Sequence, residues 1–440
     1  MASLGQLPTE ILQMIATQIY SQNDLLHLIY SSRKMCNLLL PILYSQVRLC
    51  DCHFDIQTVV PFLITILRYP ELAKAVQHLD LNDWRYSPWD PRIQPRFDYE
   101  DHHKRLLKKA DLGVRYSCEE EQLLFQGLEM GDSDAWLAVL IPQLTSLKSL
   151  RIAWPYEENK VNTMFAKAAE DGGRLFPHLQ EVKAGHCDIE GYLDTDYLDP
   201  FFKFPAMRRV VGVMVAEDEE DNAPEPPSQR YSGVEKIELV MSNTVYGFPV
   251  WIQSCMALRS FHLDIGGPSI SDVSIQSDPL RESLSYHKTT LETLWIRTDE
   301  EADRDEDEGW IGSFADFSAL RMLQIPFKML IDFDPETGTN QELRELLPPT
   351  LTFLYLCQCD PDLVVLAIEQ IEALLDSRCL PKLVSLGLEC SRPKKSIRPR
   401  MDLLTSRCKE MGIAFVNLPP SQRETWYYLG RNWPSHGYYS

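Results

Sequence analysis

The chain is short of positive charge. Its 440 residues carry 43 lysines and arginines against 64 aspartates and glutamates, a formal net charge of -21. Nucleic acid and anionic bilayers both require a basic face, so general binding to either is excluded, while a basic protein partner is permitted. Long apolar runs are missing too. "PFLITIL" at 61–67 is too short to span a bilayer, and "LVVLAIEQIEALL" at 363–375 is broken by acids. No membrane segment is expected. The first six residues have no basic run, and Thr9 and Glu10 interrupt the apolar residues that follow, so a signal peptide is not expected either. Asn-x-Ser/Thr sequons are absent, and the 11 cysteines are odd in number and scattered. That usage fits a reducing compartment, cytoplasmic or nuclear.

Catalytic signatures are equally lacking. There is no glycine-rich phosphate loop, no G-x-S-x-G and no H-E-x-x-H. Cys50-x-Cys52 and Cys357-x-Cys359 would put each pair on one side of a strand, which is not the C-x-x-C spacing of a zinc knuckle or redox motif. His102-His103 sits in a polar stretch without an acid or cysteine at motif spacing. No nucleophile, metal or cofactor site is expected, and the chain reads as non-catalytic.

What is present begins at once. In "LPTEILQMI", residues 7–15, Pro8 suits the first position of a helix and Glu10 falls where the helix dipole favours an acid. Ile11, Ile15 and Ile19 form an apolar line, with Leu12 beside it. Asn23 or Asp24 would cap a second helix carrying Leu25, Leu26, Leu28 and Ile29, and Ser31 or Ser32 a third carrying Met35, Leu38, Leu39, Ile42 and Leu43. Pro41 would interrupt or bend that third segment. Three short helices cannot enclose so many large aliphatics. The surplus either caps a following domain or docks onto a second protein.

The order and spacing of Leu7-Pro8-x-Glu10-Ile11-Leu12, Ile15, Asp24-Leu25-Leu26, Ser31-x-Arg33, Leu38, Leu43 and Tyr44 resemble an F-box of the fungal type. Met35 stands where that pattern often has an aromatic. The resemblance implies binding to the Skp-type adaptor of a cullin–RING E3 ubiquitin ligase, with no catalysis by the F-box subunit itself. It carries the adaptor contact, or its support, to Leu7, Pro8, Ile11, Leu12, Ile15, Leu25 and Leu26. Leu38 and Leu43 fit internal packing as well.

Beyond the helices one pattern recurs: apolar, two residues, apolar, one residue, apolar. It runs from "YSQVRL" at Tyr44 and "VQHLDL" at Val76 through copies starting at Leu147, Leu179, Met207, Val234, Leu258, Leu291, Leu320, Leu351 and Leu383, with a weaker one at Ile413. From Leu147 onward the steps lie between 24 and 33 residues. Near-constant spacing with a period-2 core predicts stacked strand-plus-connection units. The repeat resembles a degenerate leucine-rich repeat. The asparagine or cysteine after the strand is mostly absent, with Asn82 and Asn243 as possible relics and Trp154 and Phe327 elsewhere. Helical connections are expected at 119–130, 162–172 and 361–377.

The expected fold is therefore α/β: an F-box of three helices at 1–46, then a leucine-rich-repeat-like solenoid, or horseshoe, at 47–418. A polar insertion falls near 82–118, and acidic loops at 216–230 and 298–309. "RPKKSIRPR" at 392–400 is a lone basic cluster, and 419–440 an aromatic cap or tail that either closes the last repeat or folds back over the strands. In such a horseshoe the residues alternating with the buried ones line the concave wall. That reasoning nominates His262, Trp295, Arg297, Phe353 and Tyr355 for contact with a protein substrate, alongside Ser260, Asp264, Thr293, Cys357, Ser385 and Glu389. The expected function is substrate recognition in a Skp–cullin–F-box E3 ubiquitin ligase. The alternative is an interaction scaffold uncoupled from ubiquitination.

Overall fold

The computed structural model describes residues 6–19, 21–49, 58–81, 104–105, 107, 110–154, 160–186, 191–217, 227–242, 247–266, 276–298, 309–333, 341–390 and 397–416. The bulk of the acidic loops, most of the polar insertion, residues 392–396 of the basic cluster and the aromatic tail lie outside these residues. So do Cys50, Cys52, Asn82, His102, His103 and Asn243. The chain divides into two compact units. One comprises Met1–Asp218, Gln229–Val234 and Ser254–Met256; the other comprises Glu219–Ser228, Glu235–Gln253 and Ala257–Ser440.

The first unit opens with three helices, α1 (Thr9–Thr17), α2 (Gln22–Tyr30) and α3 (Arg33–Tyr44). Pro8 precedes α1 as its cap rather than entering it. Ser21, not Asn23 or Asp24, caps α2, its hydroxyl accepting from Asp24 N at 3.2 Å; Ser32 does the same for α3 toward Met35 N. An N-cap acceptor must sit two or three residues ahead of the amide it satisfies, and Asp24 is itself the donor here. Pro41 is accommodated inside α3.

Five parallel strands follow: β1 (Gln46–Leu49), β2 (His78–Leu81), β3 (Ser149–Trp154), β4 (Glu181–His186) and, after the short β5 (Leu193–Asp194), β6 (Arg209–Val213). β5 pairs separately with β7 (Val215–Ala216). Each predicted repeat start has become a strand. Leu79, Leu150, Val182 and Val210 stand in one register line and are all buried. Helices Val59–Arg68, Cys118–Met130, Ser133–Leu140 and Lys160–Glu170 supply the second layer. Ser117 and Glu120 form a reciprocal capping box at the start of Cys118–Met130, and Gly131 ends that helix in the left-handed conformation. Phe165, Phe176, Phe201 and Phe204 pack against one another with ring centroids 4.9–6.4 Å apart, which fills the space between helix and strand connections.

The second unit repeats the scheme with seven parallel strands: β8 (Lys236–Val240), β9 (Ser260–Asp264), β10 (Thr293–Arg297), β11 (Met322–Pro326), β12 (Phe353–Cys359), β13 (Ser385–Cys390) and β14 (Ala414–Val416). Ile237, Phe261, Leu294, Leu323, Leu354 and Leu386 make its register line of buried side chains, and Leu239, Leu263, Ile296, Ile325, Leu356 and Leu388 the next. At about 1.5–3 kcal/mol for each large side chain fully buried, these lines are the main favourable term in holding neighbouring strands together. The helical connections include Gly247–Ser254, Ser277–Ser285, Val364–Ser377 and Arg398–Glu410.

One main-chain joint recurs in both units. Just before most strands of the main sheet, two successive amides donate to one carbonyl of the preceding repeat. Lys148 and Ser149 do so to Gln77 O, Gln180 and Glu181 to Lys148 O, Arg321 and Met322 to Glu292 O, and Thr352 and Phe353 to Arg321 O. The joint fixes the register of each strand on its neighbour with no side chain involved.

Candidate binding surfaces

The N-terminal helices close a small core of their own. Leu12, Ala16, Leu25, Ile29, Met35 and Leu39 are buried together, with Leu7, Ile19, Leu28, Cys36, Leu38, Ile42 and Leu43 packed partly against them. Met35 occupies this core as a long, adaptable side chain. Leu12 and Leu25 are therefore internal supports, only 1% and 5% exposed. The remaining nominated residues divide: Leu7 and Leu26 are half-buried, and Pro8, Ile11 and Ile15 are exposed. Ile11 and Ile15 lie one helical turn apart, with Met14 beside them, at 41%, 36% and 64% exposure. Tyr30, at the end of α2, is 81% exposed. This is an apolar stripe on a module whose core is already complete without it.

In the second unit the nominated strand residues do share a face. Glu238, His262, Trp295, Gln324, Tyr355 and Gly387 occupy one register line. The His262 and Trp295 rings stack at 4.7 Å and 17°, and Phe353 stacks on Tyr355 at 6.4 Å and 14°. Arg297 Nη2 lies 3.7 Å from Glu389 Oε1, and the Tyr355 hydroxyl donates to Glu389 Oε2 at 3.4 Å. The open exposure expected of this wall is not found. His262 and Tyr355 are each 8% exposed, Glu389 is 2%, and the Arg297 side chain 13%. Large rings on adjacent strands, about 4.8 Å apart, close on one another instead of standing clear. Burial, then the nearby Glu389 carboxylate, pushes the Tyr355 hydroxyl well above its usual range, so it stays a donor. Among the described residues, buried Trp295 Nε1 has no hydrogen-bond partner.

Further along the same strands, the backbone of Gln358 turns left-handed at φ 50°. Its amide group accepts from Thr298 N (2.8 Å) and Thr298 Oγ1 (3.0 Å) and donates to Thr298 O. This clamp reaches past the intervening β11, whose Pro326 has no amide to offer there. Cys357 and Cys359 are buried, and burial pushes the Cys359 thiol far above the reactive range.

The alternation rule also marks a face in the first unit that the sequence reading passed over. Arg48, Asp80, Arg151 and Lys183 form one register line, and Gln46, His78, Ser149, Glu181 and Arg209 the neighbouring one. Asp80 lies 3.0 Å from Arg48 Nε and 3.9 Å from Arg151 Nε. The signal was available: charged residues at the middle variable position of successive copies from Tyr44 to Leu179.

Among the described residues no group of three or more His, Cys, Asp or Glu side chains is placed to hold a metal ion. No helix among them is long and apolar enough to cross a membrane.

Parallel strands joined by helices, stacked in register, with one strand face bearing polar and aromatic side chains, define a repeat scaffold of the kind that binds other proteins. A leucine-rich repeat domain model matches residues 153–384, more than half of the chain. The protein belongs to the leucine-rich repeat family, whose domains serve protein interaction. No curated protein matches the sequence.

Proposed function

We propose that this protein is the substrate-recognition subunit of a Skp–cullin–F-box E3 ubiquitin ligase. Its N-terminal helices bind a Skp-type adaptor, and its repeats hold a protein substrate within reach of the ubiquitin-charged enzyme. Cullin and RING subunits come only through the adaptor, and the chain contributes proximity, not chemistry. The observation that carries this reading is the stripe Pro8–Ile11–Met14–Ile15. A helix whose own core already buries Leu12 and Ala16 still leaves three large aliphatics in water. A partner groove that covered Ile11 and Ile15 would gain about 1–2 kcal/mol from each. The F-box resemblance names the partner that would do so, and the leucine-rich repeat assignment supports a protein as substrate.

Co-purification of the full chain with a Skp-type adaptor tests the reading. Wild type should give a one-to-one complex. Ile11→Glu combined with Ile15→Glu should abolish it while the circular dichroism melt stays unchanged, because both side chains are exposed. Undiminished binding by the double variant would refute the placement of the contact on α1. Failure of the wild type to bind would leave an interaction scaffold uncoupled from ubiquitination.

A further inference from the structure

Along the row just ahead of its strands, the second unit carries a ladder of alternating charge that runs out of acids. Main-chain bonds set Glu235, Arg259, Glu292, Arg321 and Thr352 in that row, each amide donating to the carbonyl of the one before it. Arg259 is served twice: its Nε lies 3.5 Å from Glu235 Oε2 and its Nη1 2.7 Å from Glu292 Oε1. Arg321, the next cation, meets Thr352 where a third acid would continue the alternation. Val384 follows Thr352 in the row, its amide bonded to Thr352 O, and Lys382 stands two residues ahead of it. Among the described residues no carboxylate makes an ion pair with Arg321 or with Lys382, and both side chains are exposed. The two line one cavity of about 330 Å³, together with Thr350 and Thr352 on the strand between them. The threonine hydroxyls are already spent, Thr350 Oγ1 donating to Leu320 O at 2.7 Å and Thr352 Oγ1 to Arg321 O at 3.0 Å. The middle of the cavity is therefore small and neutral, with a long cation on either side. Glu292 is the one acid among the lining residues, and Arg259 holds it.

We propose that this cavity binds a phosphomonoester group between Arg321 and Lys382. The assignment follows from reach and charge. Arg321 leads into β11 and Lys382 into β13, two strands apart and so separated by roughly 10 Å at the backbone. An anion seated over the approach to β12 lies about 5 Å from the strand on either side, within reach of both side chains. Two cations call for two negative charges. A phosphomonoester carries about -1.5 to -2 at neutral pH and offers three acceptor oxygens, whereas a carboxylate brings a single charge. The planar fork of Arg321 can take two of those oxygens, and the Lys382 ammonium, a point charge, the third. Ser318 and Ala319, small residues on the remaining wall, leave room for the atoms that carry the ester. A long polyanion is disfavoured, because the chain around this local patch has a formal charge of -21. Two sources offer such a group, a phosphorylated side chain of a partner protein and a free phosphorylated small molecule, and the experiment separates them. The inference goes beyond the function proposed above and depends neither on the adaptor contact at α1 nor on the strand faces.

The test uses the full chain without adaptor. Fluorescence anisotropy follows a short fluorescein-labelled peptide with phosphoserine at its centre, beside versions with serine or glutamate there, and calorimetry follows free O-phosphoserine. The phosphopeptide should bind, the serine peptide should not, and the glutamate peptide should bind more weakly. Arg321→Gln with Lys382→Gln should weaken binding about tenfold or more, as expected for the loss of two charge-assisted contacts. Both side chains are exposed, so the circular dichroism melt should stay unchanged. Arg68→Gln with Lys74→Gln removes the same charge from exposed positions of the first unit and should leave binding as it was. Glu292→Gln takes the acid from the cavity wall while Glu235 still pairs with Arg259, and should tighten binding. Free O-phosphoserine that binds at millimolar concentration, and is lost with Arg321 and Lys382, supports the site with a small molecule as its source. A phosphopeptide that needs the same two residues while the free amino acid fails to bind supports it with a partner protein as the source. No binding of either phosphate probe, equal binding of the serine or glutamate peptide, or an equal loss in the two double variants would each overturn the assignment. The N-terminal variant Ile11→Glu/Ile15→Glu should bind the phosphopeptide normally, which keeps a failure here distinct from a failure of the adaptor reading.

Discussion

Gly387 shows how much a single position in these strands is asked to do. It faces Tyr355 across the β12–β13 pairing, and a Cβ placed there would lie 2.0 Å from Tyr355 Cδ2 and 2.6 Å from Cε2. Tyr355 is held by its stack on Phe353 and its hydroxyl bond to Glu389, so the ring has little freedom to retreat. Gly387→Ala should therefore destabilise the protein by about 1–3 kcal/mol, the range for overpacking a filled site. Urea denaturation measures it. Combined with Tyr355→Ala, which opens the space, the same change should cost much less than on its own; strict additivity would show that the ring is not what the glycine makes room for. The alternation of residues was legible in the sequence and put His262, Trp295, Tyr355 and Arg297 on one face. Their burial was not, because it depends on which rings meet across strands. That pairing involves residues about 30 positions apart, such as Tyr355 and Gly387.

Between elements, the start of helix Lys160–Glu170 shows a device that spacing alone could not reveal. Asp134, at the beginning of Ser133–Leu140, is buried and accepts from Lys160 N at 2.7 Å and Val161 N at 3.1 Å. Its carboxylate thus caps a helix 26 residues away. Lys160 Nζ lies 2.8 Å from Asp132 and 3.7 Å from Asp134, one cation shared by two acids. Burial first, then the neighbouring Asp132, raises the pKa of Asp134 from 3.8 to about 6. A raised carboxylate pKa means that the folded state binds a proton more readily than the unfolded chain. The stabilising effect of that proton is fully present below the unfolded value near 4 and is lost as the pH rises through about 6. Asp134→Asn keeps an acceptor oxygen for one of the two amides, because Lys160 N bonds Oδ2 and Val161 N bonds Oδ1. The lost bond is a cost that does not vary with pH, and the titration is removed. The difference in stability between variant and wild type should therefore move in the variant's favour between pH 4 and pH 7, by an amount on the order of 1–3 kcal/mol. Denaturant midpoints taken across that range decide the matter; a parallel pair of curves would mean that Asp134 does not change protonation there. The helices themselves were easier to read. The apolar stripe of 361–377 and the acids of 119–121 marked theirs, whereas the cap of α2 was misplaced because Ser21, Asn23 and Asp24 all have capping side chains within one turn. Only the direction of the chain chooses among them.

At the scale of the whole molecule, the excess of acids has a physical consequence for stability. A formal charge of -21 repels itself in the compact state more than in the expanded one. Raising the salt from about 0.01 M to about 0.3 M shortens the screening length several-fold, from roughly 30 Å to below 10 Å. The thermal midpoint should rise by a few degrees over that range, since surface ion pairs such as Arg259–Glu292 and Lys288–Asp316 contribute little that salt can remove. Differential scanning fluorimetry at fixed pH measures it. A falling midpoint would show that the ion pairs outweigh the bulk repulsion.

The doubled amide joint that precedes most of the strands has an evolutionary consequence. Lys148, Gln180, Arg321 and Thr352 share no side-chain chemistry, yet each plays the same part, because what bonds is the peptide group common to all of them. Any amino acid except proline can supply the donors. Mutation can therefore rewrite these positions generation after generation without loosening one turn from the next, and a whole turn can be duplicated or deleted and the ends still meet. A lineage built on such a spine keeps its architecture long after its letters have drifted beyond mutual recognition. At these joint positions the backbone asks of a substitution only that it not be proline.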